Sequence, residues 1–210
     1  MTSDETRRGA SCSATATGNL SNLHFQQDEE KDAQRRRLRG TVEWVVIIAA
    51  ALLAAFLIKT FLIQAFFIPS ESMVSTLEKG DRVLVNKLSY RLHDVHRGDI
   101  VVFERPPSEP TDPEIKDLIK RVVGLPGETI SGDDSGHVLI NGKRLREPYL
   151  PEGVTTTGIR EFKIPADHFW VMGDNRGNSK DSRYFSSIDG DLIVGRAFVR
   201  VWPLSSLGLL

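Results

Sequence analysis

His137-Val138-Leu139-Ile140-Asn141-Gly142-Lys143-Arg144-Leu145 decides the fold class. Two short runs flank an Asn-Gly pair, the dipeptide that most readily takes two successive positive φ values, and that backbone is a two-residue hairpin. The stretch therefore reads as two antiparallel strands. The same texture repeats outward in both directions: RVLVNKL at 82–88, DIVVF at 99–103, IKRVVGL at 119–125, FWVMGD at 169–174 and RAFVRVW at 196–202. Turn signals at Gly98-Asp99 and Pro126-Gly127 punctuate these runs, and no long helical period interrupts them after Asp81. The pattern predicts a mainly β, antiparallel-sheet domain over residues 62–210, with loops at about 104–117 and 150–161 and no internal repeat.

The chain ahead of that domain is of two other kinds. Residues 1–40 are Ser, Thr, Gln and charge with few large apolar groups, too little to offset the entropy of ordering, and read as a disordered tail. The tail ends in Arg35, Arg36, Arg37 and Arg39, after which Trp44–Ile58, WVVIIAAALLAAFLI, carries no charge. With its flanks this segment predicts a single transmembrane helix over 41–61, provided Lys59 snorkels to the surface. Arginine-rich flanks stay in the cytoplasm, so the tail is expected inside and the β domain outside, on a single-pass protein of the plasma membrane. A cleaved signal peptide fits less well, because forty polar residues precede the apolar run and no small-x-small stop follows it. A buried helix of a soluble core is the other competing reading. The continuation Phe61, Leu62, Ile63, Phe66, Phe67 and Ile68 is too apolar for a free linker and is expected to lie against the outer leaflet.

Composition narrows the function classes. With 40% hydrophobic and 26% charged residues, 210 residues provide one ordinary folded domain and something smaller. A formal net charge of −1 gives no bulk attraction to nucleic acid, which is not expected as a partner. The one cysteine, Cys12, lies in the tail, so no intrachain disulfide forms.

The five histidines, His24, His93, His96, His137 and His168, sit in no motif that supports a Ser-His-Asp hydrolase. Gly132–His137, GDDSGH, is similar on its face to a trypsin-type serine motif, yet it stands just before the Val138 strand and reads as a turn. The chain also lacks a G-x-S-x-G elbow, an S-x-x-K, an H-E-x-x-H and a phosphate-cradling glycine loop. Three clusters mix polar groups into apolar surroundings: IPSESM at 68–73, IKRVVGLPGE at 119–128 and MGDNRGNSKDSR at 172–183. Lys120 is the informative residue, since alternation along Leu118–Val123 sets a lysine in a stretch suited to burial. A desolvated amine loses proton affinity and becomes a general base near neutral pH. On pattern alone, a surface lysine beside Arg121 remains the favoured reading.

Together the clusters resemble the motif boxes of the signal peptidase I family. Pro69, Ser70, Glu71, Ser72 and Met73 match P-S-x-S-M just after the apolar run, Lys120–Gly127 matches K-R-V-V-G-L-P-G, and Gly173-Asp174-Asn175-Arg176 with Ser179, Asp181, Ser182 and Arg183 matches G-D-N-R-x-x-S-x-D-S-R. Gly80-Asp81 with Val85 and Lys87, and Arg97–Phe103, resemble two minor boxes, so that the likeness covers roughly residues 42–203. Ser75 departs from a common proline, and Leu118 from a common aromatic, both near the expected cleft.

The resemblance implies a Ser/Lys endopeptidase in which Ser72 is the nucleophile and Lys120 the base. It assigns the oxyanion hole to the Ser72 N–H and the Ser70 hydroxyl, and the orientation of the lysine to Ser179. Asp181 and Arg183 are expected as a structural ion pair, with Asp174, Asn175 and Arg176 as scaffold. No cofactor or metal is implied. The expected partners are the lipid bilayer and the signal-peptide region of secreted preproteins, which pairs in extended form with a β edge. Phe66, Ile68, Pro69, Met73, Leu77 and Ile119 are candidate pocket residues, with core packing the equal alternative. A self-cleaving repressor of related fold would carry a DNA-binding segment in place of the apolar run, and a catalytically silent binding domain would have no use for both Ser72 and Lys120.

Overall fold

A computed structural model of the protein describes residues 42–56, 62–109 and 115–210. The chain divides into two compact units that part after Phe56. In the first, residues 42–56 form helix α1, whose residues are all exposed. Fifteen residues rise only about 22 Å at 1.5 Å each, short of a hydrocarbon layer of about 30 Å. Among the described residues, no helix is long and apolar enough to cross a membrane. The rest of the span expected at 41–61, and the tail at 1–40, lie outside the described residues.

The second unit is antiparallel β structure. Strands β1 (Ile63–Phe67), β2 (Arg82–Asn86), β3 (Ile100–Glu104), β4 (Asp117–Gly124), β9 (His168–Met172), β10 (Ile188–Asp189), β11 (Ile193–Trp202) and β12 (Gly208–Leu209) form one sheet, ordered β1-β2-β11-β3-β4-β9-β10, with β12 on β11. Strands β5 (Thr129–Gly132), β6 (Val138–Ile140), β7 (Lys143–Arg144) and β8 (Phe162–Lys163) form a second, ordered β7-β6-β5-β8. Two one-turn helices, α2 (Ser89–Leu92) and α3 (Ser182–Phe185), and two 3-10 turns, Gly190–Leu192 and Leu204–Ser206, join strands of this unit. The Asn-Gly hairpin is β6–β7, and both turn residues have the positive φ it requires, 49° at Asn141 and 75° at Gly142.

Both faces of the central strands are covered, which explains their unbroken apolar runs. Along β3, Ile100 and Val102 join a core with Ile68, Met73, Leu77, Val83, Val85 and Ile119, while Val101 and Phe103 join Val122, Val171, Phe185 and Ile188 on the other face. A third core, with Val123, Ile130, Trp170 and Met172, holds the second sheet against the first.

Within the stretch expected to lie against the outer leaflet, Ile63–Phe67 form strand β1, paired along its length with β2, an element the sequence did not announce. Its inward residue Phe66 packs on the first core. The register sets Phe67, Arg82 and Trp202 in one row and Ala65, Leu84, Val199 and Leu209 in another. These rows face outward, where Phe67, Trp202 and Leu209 are exposed together with Leu204 and Leu207 of the turn before β12.

Candidate active site

Strand β4 lies between β3 and β9, but β9 pairs only with Arg121 to Gly124, so among the described residues Asp117–Lys120 have a free edge on that side. Lys120 stands at the boundary, opposite Val101 of β3, and is 3% exposed. Its Nζ lies 2.7 Å from Ser72 Oγ and 3.0 Å from the Ile119 carbonyl oxygen. Burial lowers the amine from its ordinary 10.5 to about 8, against the opposing pull of the Asp181, Glu109 and Asp174 carboxylates. Two of those carboxylates are already held by arginines, Asp181 by Arg183 at 2.8 Å and Asp174 by Arg121 at 2.7 Å.

Ser72 begins a tight turn between β1 and β2, closed by the Thr76 and Leu77 N–H groups donating to the Met73 carbonyl. Ser70 Oγ is 3.3 Å from Ser72 Oγ. The turn is anchored by burying Met73 and Leu77 completely and Ile68 to 1%. Those three candidate pocket residues are thus core, Phe66 packs at its margin, and of the six only Pro69 and Ile119 line the cleft. The cleft holds about 450 Å³ and is bounded also by Ser70, Ser72, Glu109, Leu118 and Lys120. Glu109, at 8% exposure, escaped sequence reading because it sits mid-loop, between prolines, with no periodicity to flag it.

The segment after β9 holds the serine turn from behind. Asn175 donates its N–H to the Ser72 carbonyl at 3.1 Å and its side-chain amide to the Glu71 carbonyl at 3.0 Å. Gly173 packs so closely that a Cβ there would collide with Ser72 O and Ser179 Oγ. Asp181 caps α3, accepts from the Gly173 N–H at 3.1 Å and pairs with Arg183, which also donates to the Arg176 carbonyl at 2.8 Å. Arg176 reaches the Gly173 carbonyl at 3.1 Å and Glu147 at 2.5 Å. Ser179 Oγ is buried without a hydrogen-bond partner, and so makes no bond to Lys120 in this state.

Arg121, which the sequence set in the same box as Lys120 without giving it a role, is the joint of this scaffold. It grips Asp174 through Nε and Nη2 at 2.9 and 2.7 Å, donates to the Gly98 carbonyl at 2.8 Å, and stacks on the Tyr149 ring at 4.1 Å. Thr76, inside the serine turn, donates to the same Asp174 at 2.5 Å. The three polar clusters of the sequence therefore meet in space: a serine hydroxyl, a lysine amine shifted toward neutrality, and a braced loop beside an open strand edge. A hydroxyl in hydrogen-bond contact with a buried amine of lowered proton affinity is an arrangement capable of acyl transfer.

Comparison with known proteins gives the chain a family. Residues 41–202 match the family described as signal peptidase, peptidase S26. A signal peptidase I from Leptolyngbya laminosa is 47% identical over 146 residues, 68% of this chain and 70% of its own. The signal peptidase IB of Staphylococcus aureus (strain Mu50 / ATCC 700699) is 35% identical over 181 residues, 78% of this chain and 91% of its own. A crystal structure of a signal peptidase I from Enterococcus faecalis V583 aligns with 50% of this chain and 97% of its own, at 29% identity and a TM-score of 0.38. The sequence boxes and these relatives lead to one conclusion: the chain belongs to the signal peptidase S26 family, among the signal peptidases I.

Proposed function

We propose that the chain is a single-pass, membrane-anchored serine endopeptidase that removes signal peptides from exported preproteins, with Ser72 as nucleophile and Lys120 as general base. The observation that carries this reading is the 2.7 Å contact between a buried amine and a buried hydroxyl. Family membership supports the substrate class.

In this mechanism neutral Lys120 takes the Ser72 proton as Oγ attacks the scissile carbonyl carbon. The Ser72 N–H and the Ser70 hydroxyl stabilise the oxyanion. The lysine then gives its proton to the leaving amine as the peptide bond breaks, leaving an ester on Ser72. A water, losing its proton to Lys120, attacks that ester, and Ser72 leaves with the proton returned. The unpartnered Ser179 hydroxyl is available to hold the amine between steps. Asp181 and Arg183, with Asp174, Asn175 and Arg176, keep the serine turn in register. The preprotein lies extended along the free edge at Asp117–Ile119, with Pro69 and Ile119 against its small side chains.

Helix α1 and the apolar residues that follow it supply the anchor, with the arginine-rich tail in the cytoplasm and the β domain outside. The outward rows of β1, β2 and β11 support contact of that domain with the outer leaflet, since apolar residues occupy positions that the core does not use. Purified protein in detergent should cut a preprotein at its signal-peptide junction, while Ser72→Ala and Lys120→Ala, both folded, should not. Near-normal turnover by either variant would remove the pair from the mechanism.

A further inference from the structure

Behind the site, on the side away from the cleft, runs a chain of contacts that the catalytic reading leaves unassigned. Two buried ion pairs bracket the Gly173–Arg176 loop: Arg121 with Asp174, and Arg176 with Glu147. Their side chains are between 1% and 11% exposed. Buried pairs return little net stability because desolvation offsets their attraction, so their value lies in the geometry they impose.

Tyr149 joins the two. Its ring lies under the Arg121 guanidinium at 4.1 Å, and its hydroxyl donates to Glu147 at 2.8 Å. Burial and the neighbouring Glu147 carboxylate push the phenol up, so it stays a neutral donor. Burial alone would lower the Arg176 guanidinium, but hydrogen bonding to Glu147 leaves it raised and charged.

The joint at Arg121 touches each segment that carries the chemistry. Arg121 adjoins Lys120 on β4. Through Asp174 and Thr76 it reaches the turn that holds Ser72. Through the same loop it reaches Asn175, which fixes the Ser72 carbonyl. Neither Tyr149 nor Glu147 borders the cleft.

We infer that Tyr149 and Glu147 are positioning residues, contributed by the excursion between β7 and β8, that set the Ser72 to Lys120 geometry through Arg121 and Arg176. The inference rests on the proposed peptidase mechanism. Loss of the brace lets the serine turn drift relative to β4, and displacement of a reacting group by about 1 Å costs up to roughly 100-fold in turnover. Substrate binding, made elsewhere along the free edge, stays as it was.

The test compares full-length protein in detergent as wild type, Tyr149→Leu, Tyr149→Phe and Glu147→Gln, with kcat and KM on one preprotein measured well below each variant's melting temperature. Tyr149→Leu removes the platform beneath Arg121, and kcat should fall about 10- to 100-fold with KM unchanged. Tyr149→Phe keeps the stack and should recover most of that loss. Glu147→Gln, close to isosteric, should lower kcat several-fold and keeps the inference testable if Tyr149→Leu does not fold. Wild-type kcat in both Glu147→Gln and a folded Tyr149→Leu overturns the inference, as does a loss in Tyr149→Phe equal to that in Tyr149→Leu. A wild-type protein unable to cut any preprotein overturns the peptidase reading instead.

Discussion

A lysine that is 3% exposed and shifted down to about 8 has two measurable consequences of opposite practical sign. In the proposed mechanism only the neutral amine accepts the Ser72 proton, so kcat/KM should climb about tenfold per pH unit on the acid side and level off above about 8. A profile flat from pH 6 to 9 would mean another base. For stability, the folded value lies below the ordinary 10.5, so between about 8 and 10.5 the unfolded chain holds more protons and stability rises with pH. Lys120→Met should therefore be inactive yet more stable at pH 7, by roughly 3 kcal/mol, with the gap closing toward pH 10 in urea titrations. A variant of equal or lower stability at pH 7 would contradict the desolvation account. Ser70→Ala is expected to be slow rather than dead: losing one oxyanion donor costs about 2.7 to 4 kcal/mol, roughly a hundred- to a thousand-fold in kcat, with KM and melting nearly unchanged. Wild-type turnover in that variant would take Ser70 out of the mechanism. At this scale the apolar run marked Lys120 as unusual but on pattern alone favoured a surface lysine, and only the family resemblance pointed to its pairing with Ser72, whose hydroxyl the fold brings within 2.7 Å. The sequence was silent about Tyr149, Glu147 and Glu109, whose meaning depends on partners or walls brought near by folding, and whose local patterns are those of ordinary loop residues.

Among elements, the strands were legible wherever the chain ran apolar between turn signals, and the Asn141-Gly142 hairpin forms at the residues that announce it. Strand β1 was not recognised, because a stretch with one apolar face on a core and another turned outward has no alternation to distinguish it from a membrane-facing segment. The candidate pocket residues carried a similar ambiguity, left even between pocket wall and core. Ile68, Met73 and Leu77 flank Ser72 in sequence and are buried as core beneath its turn, so that of the six candidates Pro69 and Ile119 reach the cleft. The loop after β9 gives this element its own test. A methyl group at position 173 has no room between Ser72 O and Ser179 Oγ, so Gly173→Ala must push the serine turn off the loop. Preprotein cleavage should be lost, with a fall in melting temperature; a Gly173→Ala protein with normal kcat would show that the turn tolerates displacement.

At the scale of the molecule, the proposed contact with the outer leaflet would give the apolar rows on an outward face of the β domain a use. A chain beginning at Leu62 should cofloat with anionic and zwitterionic vesicles alike, and Trp202→Ser with Leu209→Ser should release it while cleavage of a soluble peptide persists. Failure to bind vesicles with the rows intact would refute contact through this face. The same rows also govern how the separated domain behaves when no lipid is present. Phe67, Trp202, Leu204, Leu207 and Leu209 then have only water or another copy to meet, beside an outer edge of β1 that no strand among the described residues pairs. Concentration rather than temperature becomes the hazard for such a preparation, and sedimentation should show self-association growing with protein load and reversing on addition of mild detergent.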